Sequence, residues 1–305
     1  MLCPRIISEL TFDDKPGFDR LLSILQPETS DLTFTNLFMW QESYGLKPVY
    51  LPMLDFWLIL AEPPNKWRPF FLPPVGDWDN LEKLRAVLEA MDQIAQDRGF
   101  KLWLRRIPKP LAESLQRIDP SLQFEGDLHT FDYIYQASDL IKLDGRKYHS
   151  KRNHLNQFQR KYLWEYQRID QPVLEECLMI DAEWFNIKDA LQRDCSDEEQ
   201  AMALMMKNFR ALGVSGGVLR VEGNIQAIAV GERLTAEMAV VHLEKANTGF
   251  DGIYAAINQQ FTADFGAGFQ FINREEDLGL DGLRQAKSSY HPVLLIEKFN
   301  GARQA

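Results

Sequence analysis

The sequence has 305 residues, of which 45% are hydrophobic and 26% are charged, and this composition excludes a disordered or fibrous chain. Its net charge of −10 argues against a dedicated binder of duplex DNA. No apolar stretch approaches the roughly 18 residues that a membrane helix needs, and the first residues have no signal-peptide pattern. The three cysteines match no CxxC motif, which is typical of a reducing compartment. We therefore expect a cytoplasmic globular protein without an integral membrane segment.

The first half of the chain is predicted to mix helices and strands. Apolar residues recur at helical spacing over 78–98, which predicts an amphipathic helix that ends at Gly99. Asp31 and Thr33 are candidate N-caps of a short helix. In chain order, the other elements predicted here are helices over 18–25 and 34–40 and strands over 47–51, 56–61, 69–72, 101–105 and 131–135.

The second half is predicted to end in a strand-rich region. A turn at Glu222-Gly223-Asn224 indicates a hairpin. Strand 238–246, helix 253–265 and strand 269–273 then form a crossover unit, so these two strands are expected to lie parallel. The remaining predicted elements are helices over 146–163, 173–185, 198–212 and 283–290 and strands over 217–221, 225–232 and 293–299.

A shift in charge and pattern over 137–145 gives the domain boundary. It divides the chain into an N-terminal domain of residues 1–140 and a C-terminal domain of residues 141–305. Directly after it, the segment 142–168 holds eight basic residues against two acidic ones. A basic segment inside an acidic protein indicates where an anionic ligand would bind, although such runs are usually solvated helix faces.

Ionisable side chains follow two neighbouring predicted strands at their carboxyl ends. Strand alternation puts His242 and Glu244 on one face together with Met238 and Val240. On the next strand, Asn273 and Glu275 follow two phenylalanines in the same way. Ligands of open α/β sheets bind outside the carboxyl ends of strands, so these four polar groups are expected to converge. The alternative is that each core strand simply reaches solvent here.

The loop Asn247–Gly252 precedes a predicted helix. Free N–H groups at a helix N-terminus attract phosphates, and Gly249 and Gly252 would allow a ligand to approach the backbone closely. The loop lacks the Gly-Lys-Ser/Thr of a phosphate-binding Walker motif. Two glycines also serve an ordinary turn, so this interpretation stays open.

The basic segment is predicted to form an amphipathic helix. Tyr148, Leu155, Phe158 and Tyr162 define an apolar stripe, and Arg152 falls within it. A buried arginine needs a carboxylate or phosphate partner, which would be either a structural ion pair or a bound anion. Lys147 and Lys151 flank the stripe. The five histidines have no metal-ligand spacing and no GxSxG elbow is present, so we expect no metal site and no serine nucleophile.

Five strings carry a resemblance to a known family. They are FTNLFMW (34–40), FLPPVGDW (71–78), DGRKYHSKRNHLNQF (144–158), HLEKANTGFDGIYAAIN (242–258) and NREEDLGLDGLRQAKSSYHP (273–292). They resemble a bacterial family related to the C-terminal domain of phosphatidylglycerol lysyltransferase. The resemblance implies an α/β (α+β) fold of two tandem GNAT-like acyltransferase domains, each a mixed central sheet flanked by helices, akin to the Fem aminoacyltransferases.

The activity that the resemblance implies is acyl or aminoacyl transfer to an amine or hydroxyl, from acyl-CoA or aminoacyl-tRNA as donor substrate. No further cofactor is expected, and the acceptor would be a small molecule or peptide. Glu244 is the candidate general base, assisted by His242. The candidate substrate-binding residues are Lys147, Arg152, Asn247, Gly249, Gly252, Tyr254, Asn258, Asn273, Glu275, Lys287 and Tyr290. The competing hypothesis is a non-catalytic module that binds an anionic metabolite or nucleotide.

Overall fold

A computed structural model describes residues 5–6, 9–64, 68–182, 185–186 and 196–304. Cys3 and Cys195 lie outside the described residues, and Cys177 is buried. The chain forms two compact units, one made of Met1–Phe131 with Ile296–Ala305 and the other of Asp132–Leu295. Within the described residues, no helix is both long and apolar enough to cross a bilayer.

The first unit is built on a seven-stranded sheet in the order β1-β2-β3-β4-β5-β16-β6. Its strands are β1 (Arg5–Ile6), β2 (Leu46–Leu51), β3 (Phe56–Ala61), β4 (Phe70–Val75), β5 (Trp103–Pro108), β6 (Leu122–Gly126) and β16 (Lys298–Arg303). Its helices are α1 (Lys15–Leu25), α2 (Phe34–Met39), α3 (Gln41–Tyr44), α4 (Leu81–Asp97) and α5 (Lys109–Ile118). Strands β4 and β5 run parallel, and the other described pairs are antiparallel.

Local chemistry explains where helix α2 begins and where helix α4 ends. Thr33 caps α2, since its Oγ1 accepts a hydrogen bond of 2.9 Å from the backbone N–H of Asn36. Asp31 is not the cap but makes ion pairs with Arg106 and Lys298. The apolar stripe of α4 packs against the sheet, as its spacing predicts, and Gly99 follows the helix in the left-handed conformation.

The second unit has its own seven-stranded sheet in the order β15-β7-β14-β13-β12-β11-β8 and a two-stranded ribbon, β9-β10. The strands are β7 (Asp132–Gln136), β8 (Trp164–Arg168), β9 (Asp181–Ala182), β10 (Phe185–Asn186), β11 (Ser215–Val221), β12 (Asn224–Arg233), β13 (Met238–Ala246), β14 (Phe271–Asn273) and β15 (Leu294–Ile296). The helices are α6 (Ala137–Lys142), α7 (His149–Lys161), α8 (Gln171–Met179), α9 (Ser196–Lys207), α10 (Phe209–Leu212), α11 (Ile253–Asp264) and α12 (Asp281–Ser288).

The predicted crossover is present in this unit. Strands β13 and β14 pair in parallel through three residues each, from Met238 opposite Phe271 to Val240 opposite Asn273. Helix α11 connects them and packs, with α7, on a core that includes Ala239 and Val241 of β13. Because β14 ends at Asn273, the last six residues of β13 extend beyond this pairing. The site described below lies at this end.

The structural division of the chain differs from the predicted boundary at residue 140. Residues 132–140 belong to the second unit, because β7 pairs with β14. The predicted strand over 293–299 is two strands in different sheets, β15 and β16. Strand β16 inserts between β5 and β6 of the first unit, so the chain returns there after Leu295. The sheet changes at Glu297 and Lys298, and the pairing of β16 with β5 and β6 depends on contacts distant in sequence that local periodicity does not report.

Candidate functional site

A β-bulge in β13 determines which side chains face α11. Val230 pairs with Leu243, but the next residue of β12, Gly231, pairs with Val241, so His242 is an extra residue. Glycine is needed opposite the bulge, since a Cβ on Gly231 would lie 2.3 Å from the carbonyl oxygen of Val240. The strand alternation is therefore inverted after His242.

The bulge separates His242 from Glu244. Glu244 pairs with Ala229, whose side chain lies in the core beneath α11, so Glu244 is on the face of the sheet that α11 covers. His242 contacts Glu232 on the opposite face of the sheet. The prediction that His242 and Glu244 share a face with Met238 and Val240 is wrong at Glu244, because one inserted residue reverses every later side chain.

His242 is held between two carboxylates. Its Nδ1 lies 2.8 Å from Glu275 Oε1 and its Nε2 lies 2.9 Å from Glu232 Oε1, and the side chain is 0% exposed. Burial lowers the pKa of His242, but the two hydrogen-bonded carboxylates outweigh it and raise the pKa to about 10. Burial raises the pKa of Glu275 despite the imidazolium. Both ring nitrogens are occupied, so His242 is a charged anchor rather than an available base.

Glu244 is the centre of a second cluster. Its Oε1 accepts a hydrogen bond of 3.0 Å from Arg274 Nη2, and its Oε2 accepts one of 3.0 Å from Asn258 Nδ2. The side chains of Glu244 and Arg274 are each only 13% exposed. Burial lowers the pKa of Arg274, but Glu244 together with Tyr135 and Tyr290 outweighs burial and leaves the pKa raised. The predicted members Glu244 and Asn258 are thus brought together by β13 and α11.

Two atoms of this cluster are buried without a partner in the described structure. Asn258 Oδ1 can only accept a hydrogen bond, and Arg274 Nη1 can only donate one. Buried polar atoms in folded proteins are almost always satisfied, and leaving one unsatisfied costs about 1–3 kcal/mol. An unpaired donor and an unpaired acceptor on either side of one carboxylate are therefore features of a site that a polar ligand would complete.

Aromatic rings and a second cation adjoin the cluster. The Cζ of Arg274 lies 5.0 Å from the ring centre of Tyr290 and 5.6 Å from that of Tyr135. The Nζ of Lys151, from α7, lies 4.1 Å from the ring centre of Tyr290. Burial, and then Arg274, lower the pKa of Lys151 although Glu244 opposes them. Burial also raises the pKa of the Tyr290 hydroxyl.

Arg152, the predicted anion-binding residue of α7, hydrogen-bonds with backbone carbonyls in the structure. Arg152 Nη1 donates to the backbone carbonyls of Leu143 and, at 2.7 Å, Gly145. These hydrogen bonds stabilise the loop before α7, and they take the place of the predicted carboxylate or anion partner. The stripe 148, 155, 158, 162 is completed at 3-4-3-4 spacing by Lys151, not Arg152. That spacing is the signal that identifies Lys151. Arg274 was missed because it lies one residue after β14.

The other predicted cations have protein partners. Lys147 Nζ lies 3.1 Å from Asp139 Oδ2 on an exposed surface. Lys287 is buried, and its Nζ donates to the backbone carbonyls of Arg274 and Glu276 at 2.5 Å each. Burial lowers the pKa of Lys287 to about 8. Its ammonium holds the backbone that carries Arg274, which is a positioning role.

Polar residues at and just after the end of β14 fix the path of the backbone there. Asn273 is 0% exposed, donates to Asp132 Oδ2 at 3.0 Å and accepts from the backbone N–H of Glu275 at 2.7 Å. Glu275 itself has a left-handed backbone, with φ of +56°. These bonds fix the exit of the chain from β14, so Asn273 and Glu275 support Arg274 without joining its cluster.

The loop Asn247–Gly252 is organised by its own contacts. Asn247 Oδ1 accepts from the N–H of Gly249 at 2.9 Å, and its Nδ2 donates to Gln226 at 2.9 Å. Gly252 has φ of +85°, and a Cβ there would lie 2.3 Å from the carbonyl oxygen of His154, so it permits close packing of α11 on α7. Tyr254 is 40% exposed, and partial burial raises the pKa of its hydroxyl.

Other features of the described residues do not compete with the Glu244 cluster. No group of three or more His, Cys, Asp or Glu side chains among them is arranged to hold a metal ion. A surface depression of about 460 Å³ lies on the solvent side of α7. Its lining side chains are exposed: Asn153, Asn156, Gln157, Arg160 and Lys161. An exposed polar helix face of this kind needs no ligand.

Comparison with known proteins places this geometry in context. The profile of the family described as "Phosphatidylglycerol lysyltransferase, C-terminal" matches residues 22–300. A protein of unknown function from Bacteroides thetaiotaomicron has a similar structure, with TM-score 0.88, 33% identity and 100% coverage of both chains. L-PGS from Bacillus licheniformis aligns with TM-score 0.66 and 16% identity, over 95% of this chain and 92% of its own. Among curated proteins, none matches this chain in sequence.

The tandem fold is also found outside these proteins. A tandem GNAT protein from the clavulanic acid biosynthesis pathway aligns with TM-score 0.55 and 8% identity, over 98% of each chain. At this identity the likeness concerns the fold alone. The predicted α/β fold of two tandem GNAT-like halves, each with a mixed sheet flanked by helices, is confirmed.

Proposed function

The chain belongs to the family of the phosphatidylglycerol lysyltransferase C-terminal domain, and from this membership we propose that it transfers an aminoacyl or acyl group to an amine or hydroxyl acceptor. The donor would be an aminoacyl-tRNA or an acyl-CoA. The proposed site is the Glu244 cluster of the second unit, which consists of Glu244, Asn258 and Arg274 with the adjoining Lys151 and Tyr290.

One observation supports this location above the others. Asn258 Oδ1 and Arg274 Nη1 are buried and unpaired on either side of Glu244. An acyl carbonyl is a hydrogen-bond acceptor that suits Arg274 Nη1, and the N–H or O–H of an acceptor suits Asn258 Oδ1. The two unsatisfied atoms thus match the two groups that acyl transfer must bring together.

The residues have complementary roles in the proposed reaction. Glu244 takes the proton from the acceptor amine or hydroxyl as that atom bonds to the acyl carbon. Arg274 Nη1 stabilises the negative charge that develops on the acyl oxygen. The carbon–oxygen or carbon–sulfur bond to the donor then breaks, and the proton passes from Glu244 to the leaving group. Each carboxylate oxygen of Glu244 has a lone pair left after its existing hydrogen bond.

A transfer assay with the purified protein tests this proposal. Charged tRNAs and acyl-CoAs are offered with amine and hydroxyl acceptors, and product formation is compared for the native chain, Glu244→Gln and Glu165→Gln. Glu165 is a matched control because its side chain is 67% exposed. We expect Glu244→Gln to lose about 10²-fold or more in turnover, as removal of a general base does, and Glu165→Gln to keep native turnover.

Two results would contradict the proposal. Equal turnover of both variants removes Glu244 from the mechanism. Absence of product with every donor, combined with a raised melting temperature in the presence of an anionic metabolite, would instead favour the binding module.

A further inference from the structure

We propose that the site recognises an oxyanion, a carboxylate or phosphate on its substrate, through Lys151 and Arg274, and that it discriminates against a cationic aminoacyl group such as lysyl. This inference rests on the proposed function only for the statement that the bound molecule is an acyl donor or acceptor. The binding preference itself follows from the charges around Glu244.

Lys151 supplies a positive charge that the described residues leave without an ion pair. Its Nζ contacts the face of the Tyr290 ring at 4.1 Å, and no carboxylate or carbonyl among the described residues accepts a hydrogen bond from it. A half-buried ammonium has lost part of its hydration, and a cation–π contact replaces only some of it. The group is therefore prepared to receive an anion.

Arg274 supplies the second donor. Glu244 occupies Nη2, while Nη1 is buried and has no partner. Its guanidinium lies against the same Tyr290 ring as Lys151, with Cζ 5.0 Å from the ring centre. Two cations thus share one ring, and Glu244 is the single carboxylate that hydrogen-bonds with either of them among the described residues.

The neighbouring cationic side chains are engaged with other partners. The ammonium of Lys287 is bound by two backbone carbonyls, and His242 lies between Glu232 and Glu275 on the other face of β13. Lys245 is paired with Glu198 at 3.0 Å. Lys151 and Arg274 thus have one hydrogen-bonded carboxylate between them among the described residues, Glu244.

This arrangement has opposite consequences for anions and cations. A carboxylate or phosphate gains an ion pair with Lys151 and a charge-assisted hydrogen bond from Arg274 Nη1, which carries two N–H donors and so has one left beside the one that serves the acyl oxygen. A lysyl side chain entering the same space adds a third positive charge in a poorly hydrated environment, where like charges repel strongly. The oxyanion has two possible sources: a side-chain carboxylate of the transferred acyl group, or a phosphate of the donor or acceptor.

Calorimetry with small probes tests the preference without requiring turnover. The α-amides of L-glutamate, L-norleucine and L-lysine differ in side-chain charge, and inorganic phosphate represents the second source. We expect either the glutamate amide to bind the native chain about tenfold or more tighter than the lysine amide, or phosphate to bind in a manner that depends on Lys151. The first outcome assigns the anion to the acyl group and the second to a phosphate.

Variants of α7 identify the residue responsible. Lys151→Met keeps the apolar stem over Tyr290 and should reduce the anion preference to less than about threefold, whereas Lys151→Arg should retain it. Lys161→Met is the matched control, since Lys161 lies on the same helix but is exposed and paired with Asp251 at 2.9 Å. Melting curves of all variants confirm that they are folded.

The inference is overturned if the lysine amide binds as tightly as the glutamate amide while phosphate binding is the same for the native chain and Lys151→Met. Its failure is distinguishable from failure of the proposed function. Lysyl transfer that depends on Glu244 would support the transferase and refute the discrimination against a lysyl group. Lys151-dependent anion binding with no product from any donor would support the anion preference and refute the transferase.

Discussion

Both units contain a parallel crossover at the same position in their sheets, but the side chains between the sheet and the crossover helix differ. In unit order, β4 and β5 are the fourth and fifth strands of the first sheet, and β13 and β14 are the fourth and fifth strands of the second, counted from β8. Each pair is parallel and is joined by a helix, α4 or α11.

The helix-facing side of the crossover is apolar in the first unit. Phe71 and Leu104 pack there with the buried stripe of α4, which includes Val87 and Met91. The corresponding side of the second unit has Glu244 on its strand and Asn258 on its helix. Two copies of one architecture therefore differ in that only the crossover strands of the second include a carboxylate, Glu244, that hydrogen-bonds with the crossover helix.

The first unit has a buried cluster of charged side chains around Asp31. Asp31 accepts from Arg106 through Oδ1 and from Lys298 through Oδ2, at 2.5 Å each, so both its oxygens are used. The cluster of the second unit leaves Arg274 Nη1 and Asn258 Oδ1 unpaired. This difference between the two clusters supports the proposal that the Glu244 cluster serves a ligand, whereas the Asp31 cluster is expected to stabilise the fold.

The largest expected effect tests the Asp31 cluster. Replacing Asp31 with Ala leaves Lys298, which is 0% exposed, without its carboxylate, and breaking a buried pair in this way costs about 3–5 kcal/mol. We expect Asp31→Ala to reduce the free energy of unfolding by this amount in urea denaturation, while the activity per folded molecule stays native. Asp97→Ala, at an exposed position, is the control. If both variants are equally stable, the cluster does not hold the first unit together.

A pH titration tests whether His242 of the second unit is charged in the folded protein. The pKa of His242 is raised from 6.5 to about 10, so its contribution to stability is complete below pH 6.5 and is lost as the pH rises toward 10. We expect the difference in unfolding free energy between the native chain and His242→Gln to shrink over this range by several kcal/mol, at about 1.4 kcal/mol for each pKa unit. Stability curves at several pH values measure it.

The exposed His154 provides the control for this titration. The variant His154→Gln should follow the native pH dependence throughout. A constant difference between the native chain and His242→Gln from pH 6.5 to 10 would contradict a charged His242.

The smallest expected effect concerns the residue that the sequence analysis favoured. Arg152→Met loses hydrogen bonds to two backbone carbonyls, which should cost about 1 kcal/mol rather than the roughly 3–5 kcal/mol of a broken buried ion pair. Arg160→Met, on the exposed side of α7, should cost less still. Denaturation curves with and without inorganic phosphate check both values. A phosphate response that disappears in Arg152→Met would restore Arg152 to the site.

The sequence predicted features that depend on local periodicity. The crossover from β13 through α11 to β14 was predicted because helical and strand spacings extend over enough residues to be distinguished. The helix α4 and its terminal Gly99 were predicted for the same reason. These patterns placed Glu244 at the end of β13, and the family resemblance added Asn258.

Features that depend on contacts distant in sequence were not predictable in this way. The bulge at His242 requires the close approach of Gly231 to Val240 across two strands, and no spacing within β13 reports it. Lys151 and Arg152 are adjacent on α7, so a shift of one residue in the helical periodicity decides which of them lies in the apolar stripe. Arg274 belongs to neither a strand nor a helix, so no periodic pattern includes it.

The insertion of β16 between β5 and β6 has a consequence for how the chain is made. During synthesis β6 emerges from the ribosome before any residue of the second unit, but its partner strand β16 follows the entire second unit. While the second unit is being synthesised, one edge of β5 and one edge of β6 therefore remain unpaired in the first sheet. Pairing across such a sequence separation is slow. Chaperone dependence and aggregation of nascent chains should thus concentrate on the first unit, although the candidate site lies in the second.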